Sequence, residues 1–138
     1  MNPILRNILV TIIAVIVDSI VNMQIINLSF SIIDYPDGFN PQDPESFEKF
    51  KDLLPITSYI FALLAHAIGT LVGAFIISKF VTTKSKTFAM GIGAFFLLGG
   101  ITASFMIPAP GWFIPVDLIL SYFPMAILGW VLAGSRKN

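Results

Sequence analysis

Four long apolar segments run through the chain and decide what it can fold into. A helix needs about 20 mostly apolar residues to cross the hydrocarbon of a bilayer. The segments that meet or approach that length are residues 8–33, 56–80, 88–107 and 117–134. Only 12% of the 138 residues are charged, whereas a soluble domain carries about a quarter. The sequence therefore predicts an all-α polytopic membrane protein, a single transmembrane domain (residues 1–138) built as a four-helix bundle.

The one long connection, residues 34–55, is polar and acidic and contains a short amphipathic segment. Asp43 and Pro44 are residue types that begin a helix, as the N-cap and the first helical position. Phe47 and Phe50 follow at the spacing of one helical face. We expect a short helix here, in the first extracytoplasmic loop, that lies on the membrane surface or caps the bundle.

Charges are segregated along the chain, which predicts its direction in the membrane. Six acidic residues fall in the loop of residues 34–55. No acid accompanies the basic residues at the N-terminus, in the turn after the second span and at the C-terminus, namely Arg6, Lys79, Lys84, Lys86, Arg136 and Lys137. Lysine and arginine collect on the cytoplasmic side of membrane proteins. We therefore expect both termini in the cytoplasm and the acidic loop outside.

An aspartate interrupts the aliphatic first span at "VDSIVNM". The polar residues of this span recur at intervals of 4, 7, 4 and 7 residues: Asn7, Thr11, Asp18, Asn22 and Ser29. Such intervals place side chains on one face of a helix. The first span therefore carries a polar stripe that we expect to face its neighbours in the bundle.

The second span offers Asp18 a partner at the same depth. Asp18 and His66 each lie ten residues from the start of their span, about 15 Å at 1.5 Å per residue. Because neighbouring spans run in opposite directions, both side chains reach the midplane. Asn22 and Thr70 lie one turn away, so we predict a site of Asp18, Asn22, His66 and Thr70. "GTLVG" beside it is a GxxxG motif that lets two helices approach closely.

This predicted site has two interpretations, and both remain open. Ionisable residues inside membranes generally mark functional sites, which favours a site that responds to protons or cations. Hydrogen bonds between membrane helices also fix their register, at an average of about 0.6 kcal/mol each. On that second interpretation the aspartate and the histidine form only a structural clasp.

A secondary cluster lies at the start of the fourth span: Asp117, Ser121 and Tyr122. We expect Asp117 to serve as the N-cap of that span, because it follows Pro115 at the segment's beginning. Pro124 should kink the helix further along, since proline removes a backbone donor and clashes with the preceding turn.

Several kinds of chemistry find no support in the sequence. The chain contains no cysteine and one histidine, so disulfides, iron–sulfur clusters and histidine-rich metal centres are not expected. We predict no metal and no cofactor. No catalytic triad spacing and no phosphate-binding glycine loop is present. An enzyme acting on lipid or quinone is therefore the least favoured of the functions considered.

The blocks "LAHAIGTLVGAFI" and "GIGAFFLLGGITASFMIPAPGWF" resemble a group of small, uncharacterised four-helix membrane proteins of bacteria. The resemblance extends over most of the chain from "NPILRNILV" onward. It implies the fold and a location in the bacterial inner membrane, and it implies no activity. The chain is also similar, as an analogy of site only, to small multidrug resistance transporters, which have an acid in the first of four helices. Those proteins use glutamate and lack the long acidic loop.

Two functions follow from these features. The first is proton- or cation-coupled transport of a small solute by a homo-oligomer, because four short helices hardly enclose a path alone. The alternative is an accessory or scaffold protein that joins a larger membrane complex through its acidic loop or its glycine faces. We expect the lipid bilayer and further protein chains as partners, and no nucleic acid.

Overall fold

The computed structural model describes residues 1–134, which are mostly helical and contain no strand. The helices are α1 (Pro3–Ser29), α2 (Pro44–Phe50), α3 (Ile56–Phe80), α4 (Ser85–Met106), α5 (Phe113–Leu120) and α6 (Phe123–Leu132). Four helical segments are long and apolar enough to cross a membrane, namely α1, α3, α4 and the consecutive pair α5–α6. The prediction of an all-α bundle of four spans is confirmed. Arg136 and Lys137, used above to orient the chain, lie outside the described residues.

Helix α3 is the centre of the bundle. It packs against α1, α4, α5 and α6, whereas α1 packs substantially on α3 alone. The side chains with no exposure are mostly alanines: Ala14, Ala65, Ala74, Ala89 and Ala126. Small residues let helix backbones approach closely inside a membrane. Large apolar side chains cover the outward surface, which is the surface that a protein in contact with lipid presents.

The polar stripe of α1 faces the bundle as predicted. Its five residues are buried or half-buried, namely Asn7, Thr11, Asp18, Asn22 and Ser29. The polar residues off the stripe are exposed, namely Ser19, Gln24 and Asn27. Near the N-terminus, Asn7 Oδ1 accepts hydrogen bonds from both the backbone N–H and the hydroxyl of Thr82. The stripe therefore ties α1 to the α3–α4 turn at one end and to α3 along its length.

Helix α1 begins and ends earlier than residues 8–33. It begins at Pro3, because the Asn2 side chain caps the first turn by accepting from the N–H of Ile4. It ends at Ser29, whose hydroxyl lies 2.9 Å from the Tyr35 hydroxyl. That hydrogen bond joins the end of the helix to the loop that follows, and the chain turns away from the helix axis there.

The short helix predicted in the acidic loop is present as α2. Asp43 caps it by accepting from the N–H of Glu45. The rings of Phe47 and Phe50 pack edge-on against Phe39, with ring centroids 5.0 and 6.1 Å apart. The apolar face of α2 is thus partly covered by an aromatic residue of its own loop.

The fourth span is broken rather than continuous. Helix α5 ends at Leu120 and α6 begins at Phe123, with Ser121 and Tyr122 between them. Pro124 explains the break, because proline has no N–H to donate to the preceding turn and disfavours helical geometry in the residue before it. The predicted kink at Pro124 is therefore an interruption of the helix.

The expectation that Asp117 begins the fourth span is wrong. Helix α5 begins at Phe113, with Trp112 in the N-cap position, and Asp117 is its fifth residue. The helix starts earlier because Pro115 falls in the first turn, where the missing N–H would have no helical partner. As a consequence, Asp117 lies one turn deeper in the bundle than the sequence suggested.

We expect Gly129→Ala to destabilise the protein, because a Cβ there would lie 2.5 Å from the Leu71 carbonyl oxygen on α3. Overpacking of this kind costs about 1–3 kcal/mol. The matched control is Gly91→Ala, since a Cβ there meets nothing within 4 Å. Thermal unfolding in detergent micelles should show a lower midpoint for Gly129→Ala alone. Equal midpoints for the two variants would contradict the close α3–α6 crossing.

Candidate functional site

His66 and Asp117 form a pair between α3 and α5. The ring Nδ1 of His66 lies 2.9 Å from Asp117 Oδ1 and 3.0 Å from Oδ2. A carboxylate only accepts hydrogen bonds, so the proton of this contact belongs to Nδ1. The Asp117 side chain is 6% exposed and the His66 side chain 28% exposed. The acid is therefore shielded, while part of the imidazole remains accessible.

The carboxylate of Asp117 is held by two hydroxyl groups as well. Ser121 Oγ donates to Oδ1 at 2.8 Å and the Tyr122 hydroxyl donates to Oδ2 at 3.2 Å. Ser121 is one helical turn beyond Asp117, and Tyr122 turns back from the break between α5 and α6. A buried carboxylate with three donors has much of its lost hydration replaced. The break in the fourth span thus serves to complete this network.

Gly100 on α4 makes room for the tyrosine of this network. A Cβ at Gly100 would lie 2.3 Å from the Tyr122 hydroxyl oxygen. The Tyr122 ring also stacks on the His66 ring, with centroids 6.0 Å apart and planes at 26°. The close approach to α4 at this position is therefore made by a side chain and not by the backbone of a neighbouring helix.

Asp18 does not pair with His66. The hydrogen bonds of His66 within residues 1–134 go to Asp117, and none joins it to Asp18. Asp18 instead lies in a notch on α3 where Gly69 and Gly73 have no side chains. Added Cβ atoms there would lie 2.7 Å from Asp18 Oδ1 and 3.0 Å from Oδ2, respectively. The predicted Asp18–His66 contact is corrected to two separate acid sites, because the GxxxG face accepts the aspartate side chain.

The other two residues of the predicted site lie beside Asp18. Thr70 follows Gly69 on α3 and is 1% exposed, as is Asp18. Asp18 Oδ2 and Thr70 Oγ1 are buried without a hydrogen-bond partner in the part of the chain that the structure describes. Asn22, one turn beyond Asp18, is half-buried, and no hydrogen bond within residues 1–134 engages its side-chain amide.

Two adjoining cavities connect these groups, and we call them together the groove. One, of about 280 Å³, is lined by Asp18, Asn22, Thr70, His66 and Tyr122 among others. The second, of about 260 Å³, continues past His66 and Asp117 towards the acidic loop, where Phe47 and Gln42 line it. The two share lining residues on α1, α3 and α4. The groove therefore runs between α1 and α4, with α3 as its floor.

The groove joins what the sequence treated as two clusters. Asp18, Asn22, His66 and Thr70 line one of its cavities together. Asp117 belongs to the same site because it is hydrogen-bonded to His66, and Tyr122 belongs to it because its ring stacks on His66 and its hydroxyl donates to Asp117. Ser121 donates a further hydrogen bond to Asp117. The pairing of His66 with Asp117 was missed because Asp117 was placed at the membrane boundary. The signal that points to it is the four-residue spacing of Asp117 and Ser121 just before the helix-breaking Pro124.

His66 is the single histidine of the chain, so its ring nitrogens are unambiguous in an NMR spectrum. We expect 15N-histidine labelling to show neutral His66 with the proton on Nδ1 and with Nε2 bare, because Asp117 accepts from Nδ1. Asp117→Asn should disturb this tautomer, whereas Asp18→Asn should leave it in place. A neutral ring in the wild type with its proton on Nε2 and with Nδ1 bare, or equal effects of the two variants, would contradict the geometry.

The chain has no significant match among models of protein families, among curated proteins or among solved structures. The kinship with small bacterial four-helix proteins therefore stays an expectation.

Proposed function

We propose that this chain is a carrier that moves a small amphipathic solute through the membrane together with, or in exchange for, protons. In this proposal His66 is the group that takes up and releases the proton, and the groove is the solute's binding site. The observation that carries the proposal is the arrangement of His66: Nδ1 is fixed by Asp117, while the ring lines both cavities of the groove.

The fixed tautomer suits proton exchange. With Nδ1 donating to Asp117, the bare nitrogen Nε2 is the one that can accept a proton, and no hydrogen bond within residues 1–134 occupies it. An imidazole is the side chain that most readily changes charge near neutral pH. When it is charged, Asp117 pairs with it at 2.9 Å. The network is therefore able to hold His66 in either state without rearranging.

The lining of the groove favours a neutral or cationic solute with an apolar body. Its ionisable side chains are Asp18, Asp117, His66 and tyrosines, and neither lysine nor arginine lines it. The walls near the acidic loop are aromatic, with Phe47, Tyr59 and Phe113. Aromatic faces attract cations, and apolar walls favour a hydrocarbon body. An organic ammonium compound combines both properties.

The position of α1 supports a homo-oligomer. Because α1 packs substantially on α3 alone, no helix within residues 1–134 covers the open side of the groove between α1 and α4. A second copy of the chain placed there would separate the solute from lipid. We also propose the inner membrane of a bacterium with both termini in the cytoplasm, which the basic residues at one end of the bundle support.

A second candidate function, the accessory or scaffold protein, is favoured by the position of Asp18. Its side chain interlocks with the notch at Gly69 and Gly73, which is what a clasp between α1 and α3 requires. On this proposal the chain contributes a fixed surface to a larger membrane complex and moves nothing. The two proposals differ in what they expect of His66. If its role is purely structural, replacing it should change no measurement that depends on protons.

The carrier proposal is tested in liposomes that contain the purified protein and the pH-sensitive dye pyranine. A gradient of benzyltrimethylammonium, an aromatic cation, should drive proton movement faster than in protein-free liposomes. His66→Gln should abolish the effect, because the amide does not exchange protons, and Asp117→Asn should weaken it strongly. The matched control is Asp37→Asn, an acid-to-amide change in the exposed part of the acidic loop.

Two results would contradict the carrier proposal. The first is proton movement equal to that of protein-free liposomes when the gradient of this cation is applied. The second is movement that His66→Gln leaves unchanged. Stable co-purification of another membrane protein, together with either result, would favour the scaffold.

A further inference from the structure

Two buried oxygen atoms on facing helices have no partner. Asp18 Oδ2 on α1 and Thr70 Oγ1 on α3 make no hydrogen bond with any residue of the described range. Each residue is 1% exposed, and both line the cavity of about 280 Å³. Buried polar side-chain atoms are almost always paired, and the cost of leaving them unpaired is high in an apolar setting. Their position beside one cavity points to a bound species that contacts both.

A proton on Asp18 does not meet this need. It would neutralise the carboxyl group, but it would leave the new O–H and the Thr70 hydroxyl without partners, since the two side chains are not hydrogen-bonded to each other. Water would pair with both atoms, and either a proton on Asp18 or a charge on His66, which lines the same cavity, would then balance the carboxylate. A metal cation meets both needs in a single species, because it supplies positive charge and accepts oxygen ligands.

We propose that this end of the groove binds a monovalent metal cation, with sodium as the best fit. Asp18 Oδ2 supplies the negative charge, Thr70 Oγ1 and the amide oxygen of Asn22 supply neutral ligands, and water completes the shell. Hard cations prefer carboxylate, hydroxyl and carbonyl oxygen. A single carboxylate balances one positive charge, which favours a monovalent over a divalent ion. The cavity has room for water beside the ion, since a water molecule takes about 30 Å³.

The lining of this cavity is compatible with a bound cation and contains no lysine or arginine that would take its place. Tyr122 and His66 are the other ionisable groups that face this cavity, and no lysine or arginine lines it. Within residues 1–134, no three side chains of histidine, cysteine, aspartate or glutamate gather as a transition-metal site would need. The site is therefore built of oxygen ligands.

This inference goes beyond the carrier proposal and does not rest on it. The cation site is formed by α1 and α3, whereas the proton site is formed by α3 and α5. Binding of sodium is measured on purified protein without any gradient. Loss of the sodium response would leave the proton experiment on His66 intact, and failure of the proton experiment would leave sodium binding intact.

Thermal unfolding in detergent, in sodium, potassium or choline chloride at equal ionic strength, tests the site. A ligand that binds only the folded state raises the unfolding midpoint, so sodium should raise it by about 2–8 °C, with the shift growing as the logarithm of the sodium concentration once this exceeds the dissociation constant. Asp18→Asn should remove the sodium response. Thr70→Val, which keeps the shape and removes the hydroxyl, should need more sodium to reach the same midpoint shift. The matched control is Thr102→Val on the exposed face of α4, whose hydroxyl bonds to its own helix.

Each outcome decides for or against the site. If Asp18→Asn does not fold, the comparison of Thr70→Val with Thr102→Val becomes the test of the site. Sodium-23 NMR of the wild type then provides a second measurement of binding. Equal midpoints in the three salts would overturn the proposal, and so would a sodium response that both Asp18→Asn and Thr70→Val retain. An Asp18→Asn variant that is more stable than the wild type in every salt would show a clasp that needs no ion.

Discussion

Burial of carboxyl groups among apolar helices is the constraint on which the rest of this structure depends. A charged or polar group removed from water must find donors, a counter-ion or a proton. Asp117 finds three donors, and the bundle is shaped around them: the fourth span breaks so that Tyr122 reaches the carboxylate. Asp18 finds instead a notch of two glycines and one unpartnered oxygen. The carboxylate of Asp117 therefore has its hydrogen-bond partners, whereas the carboxyl group of Asp18 keeps one oxygen without a partner within residues 1–134.

That difference divides the groove into two ends. At the end nearer the acidic loop, three donors saturate Asp117. His66, which lines both cavities, keeps one nitrogen without a hydrogen bond within residues 1–134. At the other end, Asp18 and Thr70 each bury one oxygen atom that has no hydrogen-bond partner within residues 1–134. A solute that enters between α1 and α4 would meet the imidazole of His66 and the carboxyl group of Asp18 in one continuous space. The proposals of a carrier and of a sodium site rest on these separate ends, and α3 connects them because it supplies both His66 and Thr70.

The sequence predicts the parts of this arrangement that depend on one helix at a time. The spans, the inward stripe of α1 and the cap of α2 follow from periodicity and local residue types, and the structure contains all three. The pairing of side chains between helices cannot be predicted in this way. The depth of a residue and the face of its helix do not determine which helix lies next to it. Asp18 and His66 share a depth, but the Gly69–Gly73 notch receives the aspartate. Asp117 was misplaced because Pro115 was taken as the end of a loop, when it lies in the first turn of α5.

The central claim is that His66 works with Asp117 and that Asp18 belongs to a separate site. A double-mutant cycle on unfolding free energy tests it most directly, with His66→Gln combined first with Asp117→Asn and then with Asp18→Asn. Side chains in one hydrogen-bond network show coupling of about 0.5–3 kcal/mol, whereas independent sites add to within about 0.5 kcal/mol. We expect clear coupling for the first combination and near-additivity for the second. Additivity of His66 with Asp117, or strong coupling of His66 with Asp18, would contradict the account.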